Sequence, residues 1–243
     1  LQMKIKKKIK AKLVSTKRKI ALYFTQTYYV SIGENCLTDN ILSRHHIKSF
    51  TTIYAHSRSN IDYAIHLEKE KYHHLLDPQY LYHDNIEKTQ VVRNNHYANS
   101  SNIYHSLHQN GFEFTHHNVL DNPKAKESAE RKIERLNFWR GKKNFNFFYH
   151  YRINNQLNLE LLIKKAKEFN SFYNIGNKKS EIIIFTQKLV SQASERKLEK
   201  YLIEQEVKVF ILHTTDSWEG NNTEIFWAKN DEDLIKIMLE NIA

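Results

Sequence analysis

Hydrophobic and polar positions recur along this chain with two different periods, and the two periods predict a series of strands and helices. Short apolar or aromatic runs, closed by glycine or polar residues, predict strands at 27–32, 112–117, 146–153, 181–186, 207–212 and 223–227. Apolar residues spaced by a helical turn predict helices at 37–46, 57–76, 124–139, 157–172, 194–205 and 231–242. The polar stretch 79–110, rich in His and Asn, fits neither period and is interpreted as irregular structure.

Strands and helices alternate through the second half of the chain. The run Ile182-Ile183-Ile184-Phe185 is continuously apolar, which is typical of a parallel strand buried on both faces. This order predicts an α/β fold with a mostly parallel sheet and helices on both faces. We expect a single α/β domain over residues 27–243, preceded over residues 1–26 by a basic amphipathic helix or arm.

The excess of positive charge lies at the N-terminus. The whole chain has 37 Lys and Arg against 27 Asp and Glu, but residues 1–33 contain no acid. Their basic residues are Lys4, Lys6, Lys7, Lys8, Lys10, Lys12, Lys17, Arg18 and Lys19. With the apolar stripe Ile5, Ile9 and Leu13, they suit an anionic membrane surface, a solvated arm or a phosphate-binding arm. The rest of the chain is almost neutral, so nucleic acid is not expected as a partner.

The only cysteine, Cys36, follows the first predicted strand and the Gly33 turn, and it begins the next predicted helix. A helix N-terminus has unpaired N–H groups and a positive dipole end, so we expect the pKa of this thiol to be lowered. Backbone N–H groups from Asn35 to Leu37 and the Asn35 amide would form an oxyanion hole. The alternative is a small buried apolar residue. A lone cysteine fits a reducing compartment such as the cytosol.

Three predicted strands end near groups that could serve thiol chemistry. Cys36 follows the first strand, His116 and His117 close the second, and His213 closes the fifth. Because ligands collect at the carboxyl ends of strands in such sheets, we expect these groups at one edge.

Four segments carry a resemblance to a known family. Ser31-Ile32-Gly33-Glu34-Asn35-Cys36 is similar to a Ser-Leu-Gly-x-Asn-Cys signature, Leu75-Leu76-Asp77 in part to Phe-Leu-Asp, and Phe114-Thr115-His116-His117 to Phe-x-His-His. A helix and a strand ending in Arg follow the Phe-x-His-His motif, and residues 129–152 are similar to them. These segments resemble the bacterial family labelled "putative papain-like cysteine peptidase", often encoded near capsule and surface-polysaccharide genes. The chain has Thr-Ile-Tyr-Ala-His at 52–56 where the family has Pro-Phe-Asp-Trp, so one Asp is missing.

The resemblance implies a thiol nucleophile and covers most of residues 28–190. Cys36 would attack an acyl carbonyl, with the oxyanion bound by the groups named above and with Arg152 as a further binding residue. The candidate bases are His116 or His117 first and His213 second, and the candidate orienting acids are Asp121 and Asp216.

We predict from these observations a cysteine acyl-transfer enzyme, first of all an O-acetyltransferase of capsule or surface polysaccharide. Acyl-CoA is a candidate donor, no tightly bound cofactor is expected, and the acceptor would be a polysaccharide or lipid-linked glycan. The predicted location is cytoplasmic and peripheral to the inner membrane. The alternatives are a cysteine peptidase or hydrolase, a glycosyltransferase of the same pathway, and a non-catalytic module that docks on membrane or polyanion.

Two further kinds of chemistry are not expected. No phosphate-binding glycine loop is present, which argues against nucleotide hydrolysis. No functional metal is predicted, because adjacent histidines such as those at 45–46 and 73–74 do not face one site on a helix.

Overall fold

The computed structural model describes residues 23–86, 89–152 and 158–242, and within them the larger sheet has five strands. Their order across the sheet is β1 (Thr27–Ser31), β5 (Asn144–His150), β6 (Ser180–Leu189), β8 (Val207–Thr214) and β7 (Lys197–Ile203). The first four are parallel, and β7 runs antiparallel to β8. The predicted mostly parallel sheet is therefore confirmed.

Helices pack on both faces of this sheet, as the alternation of apolar side chains along its strands requires. Phe148, Ile183 and Phe210 point to one face. The helices on that face are α1 (Leu37–Arg44) and α6 (Glu232–Glu240). Phe147 and Ile182 point to the other face. The helices there are α2 (Ile61–Lys69), α3 (Pro123–Trp139) and α4 (Leu159–Ser171).

A second, antiparallel sheet replaces the irregular structure expected at 79–110. It consists of β2 (Leu81–Ile86), β3 (Thr89–Asn94) and β4 (Phe112–Phe114). Most residues of β2 are exposed or half-buried, and most of its side chains are polar. The strand therefore lacks the alternation of apolar and polar residues by which strands are predicted. Arg58 and Glu113 exchange two backbone hydrogen bonds of 3.0 Å and so fasten this sheet to the segment before α2.

Two predicted elements have the wrong type. The predicted helix at 194–205 is strand β7, whose charged residues suit the edge of a sheet. The predicted strand at 223–227 is the short helix α5 (Thr223–Phe226), which begins because Asn222 caps its first N–H groups. The predicted helix at 57–76 is shorter than expected: Asn60 caps α2 at its start, and the chain leaves the helix before Lys71, which has φ 52°.

The outer edge of β1 is covered by the segment that follows α1. The Tyr29 N–H donates to the Ser49 hydroxyl at 3.0 Å, and the Ser49 N–H donates to the Tyr29 carbonyl at 2.9 Å. The Thr52 hydroxyl donates to the Ser31 carbonyl at 2.5 Å. These bonds hold the strand that leads to Cys36.

The nine basic residues of the predicted N-terminal arm lie outside the described residues, which include only 23–26 of that arm. Among the residues that are described, no helix combines the length and the hydrophobicity needed to cross a bilayer.

Candidate active site

Cys36 is the N-cap residue of α1, at the end of a tight turn after β1. The turn requires glycine at position 33, because a Cβ there would lie 2.6 Å from the Thr38 hydroxyl oxygen and 3.4 Å from the His150 backbone nitrogen. The Cys36 carbonyl accepts the first helical hydrogen bond, from the Asn40 N–H at 3.0 Å. The local sequence therefore folds into the predicted strand, turn, cysteine and helix.

Cys36 lines a cavity of about 200 Å³. Three more of the predicted site residues share its wall: Asn35, His116 and Arg152. The remaining lining residues are ones that the sequence does not single out: His56, Ser57, Arg58, His108, Thr115, Phe226 and Trp227. Imidazole and guanidinium groups thus surround the thiol.

The small sheet and the segment before α2 bring two of these imidazoles together. His116 follows β4, and His56 ends a short 3₁₀ helix, Ile53–His56. Their ring centroids are 6.2 Å apart. His56 and His116 thus both contribute imidazoles to the wall of the cavity.

The Cys36 thiol is a weaker acid than expected. Burial raises its pKa, and the nearby Asp39 charge raises it further, while a backbone hydrogen bond and the Arg58 charge lower it. The expectation of a lowered pKa is therefore wrong, because desolvation of the thiolate outweighs the N-terminus of a short helix. The Cys36 thiol is therefore neutral at neutral pH.

Two imidazoles of this cavity, those of His56 and His108, are held in their neutral form. Burial lowers the pKa of His56 and lowers that of His108 well below its ordinary value. Both ring nitrogens of His108 lack a hydrogen-bond partner among the described residues, and its Nε2 lies 3.9 Å from the Glu34 carboxyl. A neutral imidazole can accept the proton of a thiol, so the protonation state of both groups is compatible with a role as base.

Glu34, two residues before Cys36, is a fully buried carboxyl group. It accepts hydrogen bonds from the Tyr149 hydroxyl at 2.6 Å and the Arg152 N–H at 3.1 Å. Burial still raises the pKa of Glu34 to about 8, because the two donors and the Arg152 charge only partly offset desolvation. Glu34 occupies the variable position of the signature, so its closeness to Cys36 is the one sequence signal that could have identified it.

A family model described as "Putative papain-like cysteine peptidase (DUF1796)" matches residues 27–215. The chain belongs to this family. No curated protein and no solved structure matches the chain. The DUF1796 match begins with β1 and ends just after β8, so it includes Cys36, His56, His116 and Arg152. Phe226 and Trp227 line the same cavity from outside the matched residues.

Several predicted site residues lie outside the cavity in this DUF1796 member. His117 lines a neighbouring cavity of about 240 Å³, and burial lowers its pKa to about 4. His213 pairs with Glu199 at 2.8 Å, across β7 and β8. The Leu37 N–H, a predicted oxyanion donor, already donates to the Asn35 side-chain oxygen at 3.1 Å.

The two predicted orienting acids have other partners. The Asp121 carboxylate lies 2.7 Å from His83 Nε2, and it is exposed. The Asp216 backbone carbonyl accepts from the Gln187 amide at 2.9 Å, in the loop after β8. Neither contact involves an imidazole of the Cys36 cavity. Asp39 is the acid whose charge acts on His56, raising its pKa against the effect of burial.

Proposed function

We propose that the chain is a cysteine-dependent hydrolase of amide or ester bonds, with Cys36 as nucleophile and His116 as general base. The observation that carries the proposal is the shared cavity, in which the thiol at a helix N-terminus lies among imidazole side chains. Membership of a family described as cysteine peptidases supports the same reaction class.

The reaction starts from the neutral thiol of the resting site. The Cys36 sulfur attacks the substrate carbonyl carbon as His116 takes the thiol proton, and the carbonyl oxygen becomes an oxyanion. The Asn35 amide keeps its two N–H donors for that oxyanion, because its oxygen is the atom that accepts from Leu37. The imidazolium then protonates the departing amine or alcohol, leaving a thioester. Water, deprotonated by the same imidazole, attacks the thioester and restores the thiol.

The size of the cavity limits what it can enclose. About 200 Å³ is below the range of roughly 300–1,000 Å³ that drug-sized ligands occupy. The cavity therefore suits a small acyl group or one side chain next to the carbonyl, with the leaving group outside. His56 and His108 are the competing bases, since they line the same wall.

A second candidate is transfer of the acyl group to a sugar hydroxyl in surface-polysaccharide synthesis. Phe226 and Trp227 favour it, since they place aromatic side chains beside the nucleophile where an acceptor ring could pack. Acyl-CoA would be the donor, a polysaccharide or lipid-linked glycan the acceptor, and the basic N-terminal residues would hold the enzyme at the inner membrane.

The test is acyl-enzyme formation with a p-nitrophenyl ester, followed by intact-protein mass spectrometry and by the pH dependence of alkylation with iodoacetamide. We expect one acyl group on the native chain and none on Cys36→Ala. Alkylation should reach half its maximal rate above the ordinary thiol value of about 8.5, because burial raises the pKa. Addition of a sugar acceptor that captures the acyl group faster than water would favour the transferase.

The matched controls are neighbouring or remote imidazoles. His116→Ala should slow acylation, whereas His117→Ala, one residue away and outside the cavity, and His213→Ala should not. An acylation rate unchanged in His116→Ala but lost in His56→Ala or His108→Ala would reassign the base. No acyl-enzyme, with alkylation only after unfolding, would make Cys36 a structural residue and refute the proposal.

A further inference from the structure

Two imidazoles meet one carboxylate at the C-terminal end of α2, outside the Cys36 cavity. His66 Nε2 lies 2.9 Å from one Glu70 carboxylate oxygen, and His96 Nε2 lies 2.9 Å from the other. The three potential ligand atoms are all within 4.8 Å of one another. The Tyr97 hydroxyl donates to the same carboxylate at 3.1 Å.

Each member of this cluster is held by an element of the fold. His66 and Glu70 are one helical turn apart, so their side chains lie on the same face. His96 follows β3, and its N–H donates to the Asn94 side-chain oxygen at 2.9 Å. Asn94 is buried, and its amide donates to the Leu75 carbonyl at 3.1 Å. The position of His96 is therefore fixed by backbone anchors as well as by the carboxylate.

We propose that His66, Glu70 and His96 bind a divalent transition-metal ion, with Zn²⁺ as the first choice. A tetrahedral site with bonds of about 2.1 Å has ligand atoms about 3.4 Å apart, so the contacts of 2.9 Å need to open by only a few tenths of an ångström. Two imidazoles with one carboxylate suit zinc and its neighbours, whereas Mg²⁺ and Ca²⁺ prefer oxygen ligands.

The surroundings complete such a site. The side chains of His66 and His96 are 34% and 23% exposed, so water can reach the fourth coordination position. The Tyr97 hydroxyl supplies an outer hydrogen bond that orients the carboxylate. Three protein ligands with one open position are the pattern in which zinc holds a water or an added ligand.

The ion would tie α2 to the small antiparallel sheet. The helix begins soon after Arg58 at the Cys36 cavity, but from Ile61 to Glu70 it rises by about 14 Å, so the two sites are separate. β4, in the same sheet as β3, leads to His116. Zinc at His96 would therefore brace the sheet that positions an imidazole of the cavity without contacting the thiol.

The test is zinc binding by the untagged full chain after treatment with EDTA, measured as zinc content after dialysis against micromolar Zn²⁺ and as the accompanying shift in melting temperature. We expect one ion per chain and a raised melting temperature. His66→Ala and His96→Ala should lose both effects, and Glu70→Gln should weaken binding at least about tenfold. Co²⁺ should give visible absorption bands of a low-coordinate site in the native chain and not in His66→Ala or His96→Ala.

His73→Ala is the matched control, because His73 is exposed and lies close to the cluster in sequence without belonging to it. It should bind zinc like the native chain. If the native chain takes up no ion, the proposal is wrong. It is equally wrong if His66→Ala, Glu70→Gln and His96→Ala all bind as the native chain does, since the ion then sits on others of the 14 histidines.

Discussion

Replacing Glu34 with Gln should remove a pH-dependent loss of stability that originates two residues before Cys36. Burial raises the pKa of Glu34 from 4.5 to about 8 in the folded chain, despite hydrogen bonds from Tyr149 and Arg152. In the unfolded chain the group ionises near its ordinary value. The folded state therefore has its full stability below about pH 4.5 and loses this contribution as the pH rises towards 8.

The size of the effect follows from the two pKa values. A tenfold change in proton affinity is worth about 1.4 kcal/mol, so the loss reaches at most about 5 kcal/mol above pH 8. By pH 7 it amounts to about 3 kcal/mol. Glutamine has nearly the same shape, and its amide can accept from the Arg152 N–H and donate to the Tyr149 hydroxyl oxygen. Glu34→Gln should therefore gain stability over the native chain as the pH rises from 4.5 to 8.

The assay is urea unfolding at several pH values between 4 and 8.5, with the free energy of unfolding compared between the native chain and the variant at each pH. Glu130→Gln in α3 makes the same chemical change at an exposed position and should follow the native curve. A difference between Glu34→Gln and the native chain that stays constant within about 1 kcal/mol over this range would mean that burial does not suppress the ionisation of Glu34.

Three further substitutions test the packing of the fold. Arg140→Ala leaves the buried Glu68 carboxylate without its ion-pair partner and should lower the free energy of unfolding by about 3–5 kcal/mol; Glu68→Gln in the same chain should recover part of that loss. Gly33→Ala should destabilise the chain by about 1–3 kcal/mol and slow alkylation of Cys36, and Thr38→Ala should relieve it, since the new Cβ meets the Thr38 hydroxyl. Phe147→Ala, in the centre of the sheet, should cost about 3–5 kcal/mol in urea unfolding, and a loss below 1 kcal/mol would contradict its burial.

The sequence predicts the parallel strands well because they are buried on both faces. β5, β6 and β8 consist mainly of aromatic and aliphatic residues, so the sequence favours strands over helices or loops at these positions. β7 is different: Leu198, Tyr201 and Leu202 have helical spacing, and only pairing with β8 makes the segment a strand. Most residues of β2 are polar. The alternation of apolar and polar residues that would identify this strand is therefore not visible in the sequence.

The site could be predicted only in its local part. Gly33, Asn35 and Cys36 form one continuous turn, and a short motif carries that geometry. His56 and Arg58 reach the cavity through contacts with the small sheet, which no local pattern reveals. Whether the pKa of the Cys36 thiol is raised or lowered depends on burial by elements that are distant in the sequence. The local pattern therefore predicts the wrong direction.

The proposed zinc ligands could not be found from local sequence either. His66 and Glu70 share one helix face, but the third group, His96, comes from beyond the β2–β3 hairpin. The sequence shows adjacent histidine pairs directly, but it does not show that His66, Glu70 and His96 lie close together, because only the fold brings them together.

The cover over the outer edge of β1 also bears on how the protein behaves at high concentration. An open edge strand presents a row of backbone groups to which a second molecule can add its own strand, and this is a route to aggregation. Here Ser49 and Thr52 already take up backbone groups of Tyr29 and Ser31. At the opposite border, β7 carries the charged side chains of Lys197, Glu199 and Lys200, which oppose such pairing. Both borders of the sheet are thus protected against joining other molecules into a continuous fibre.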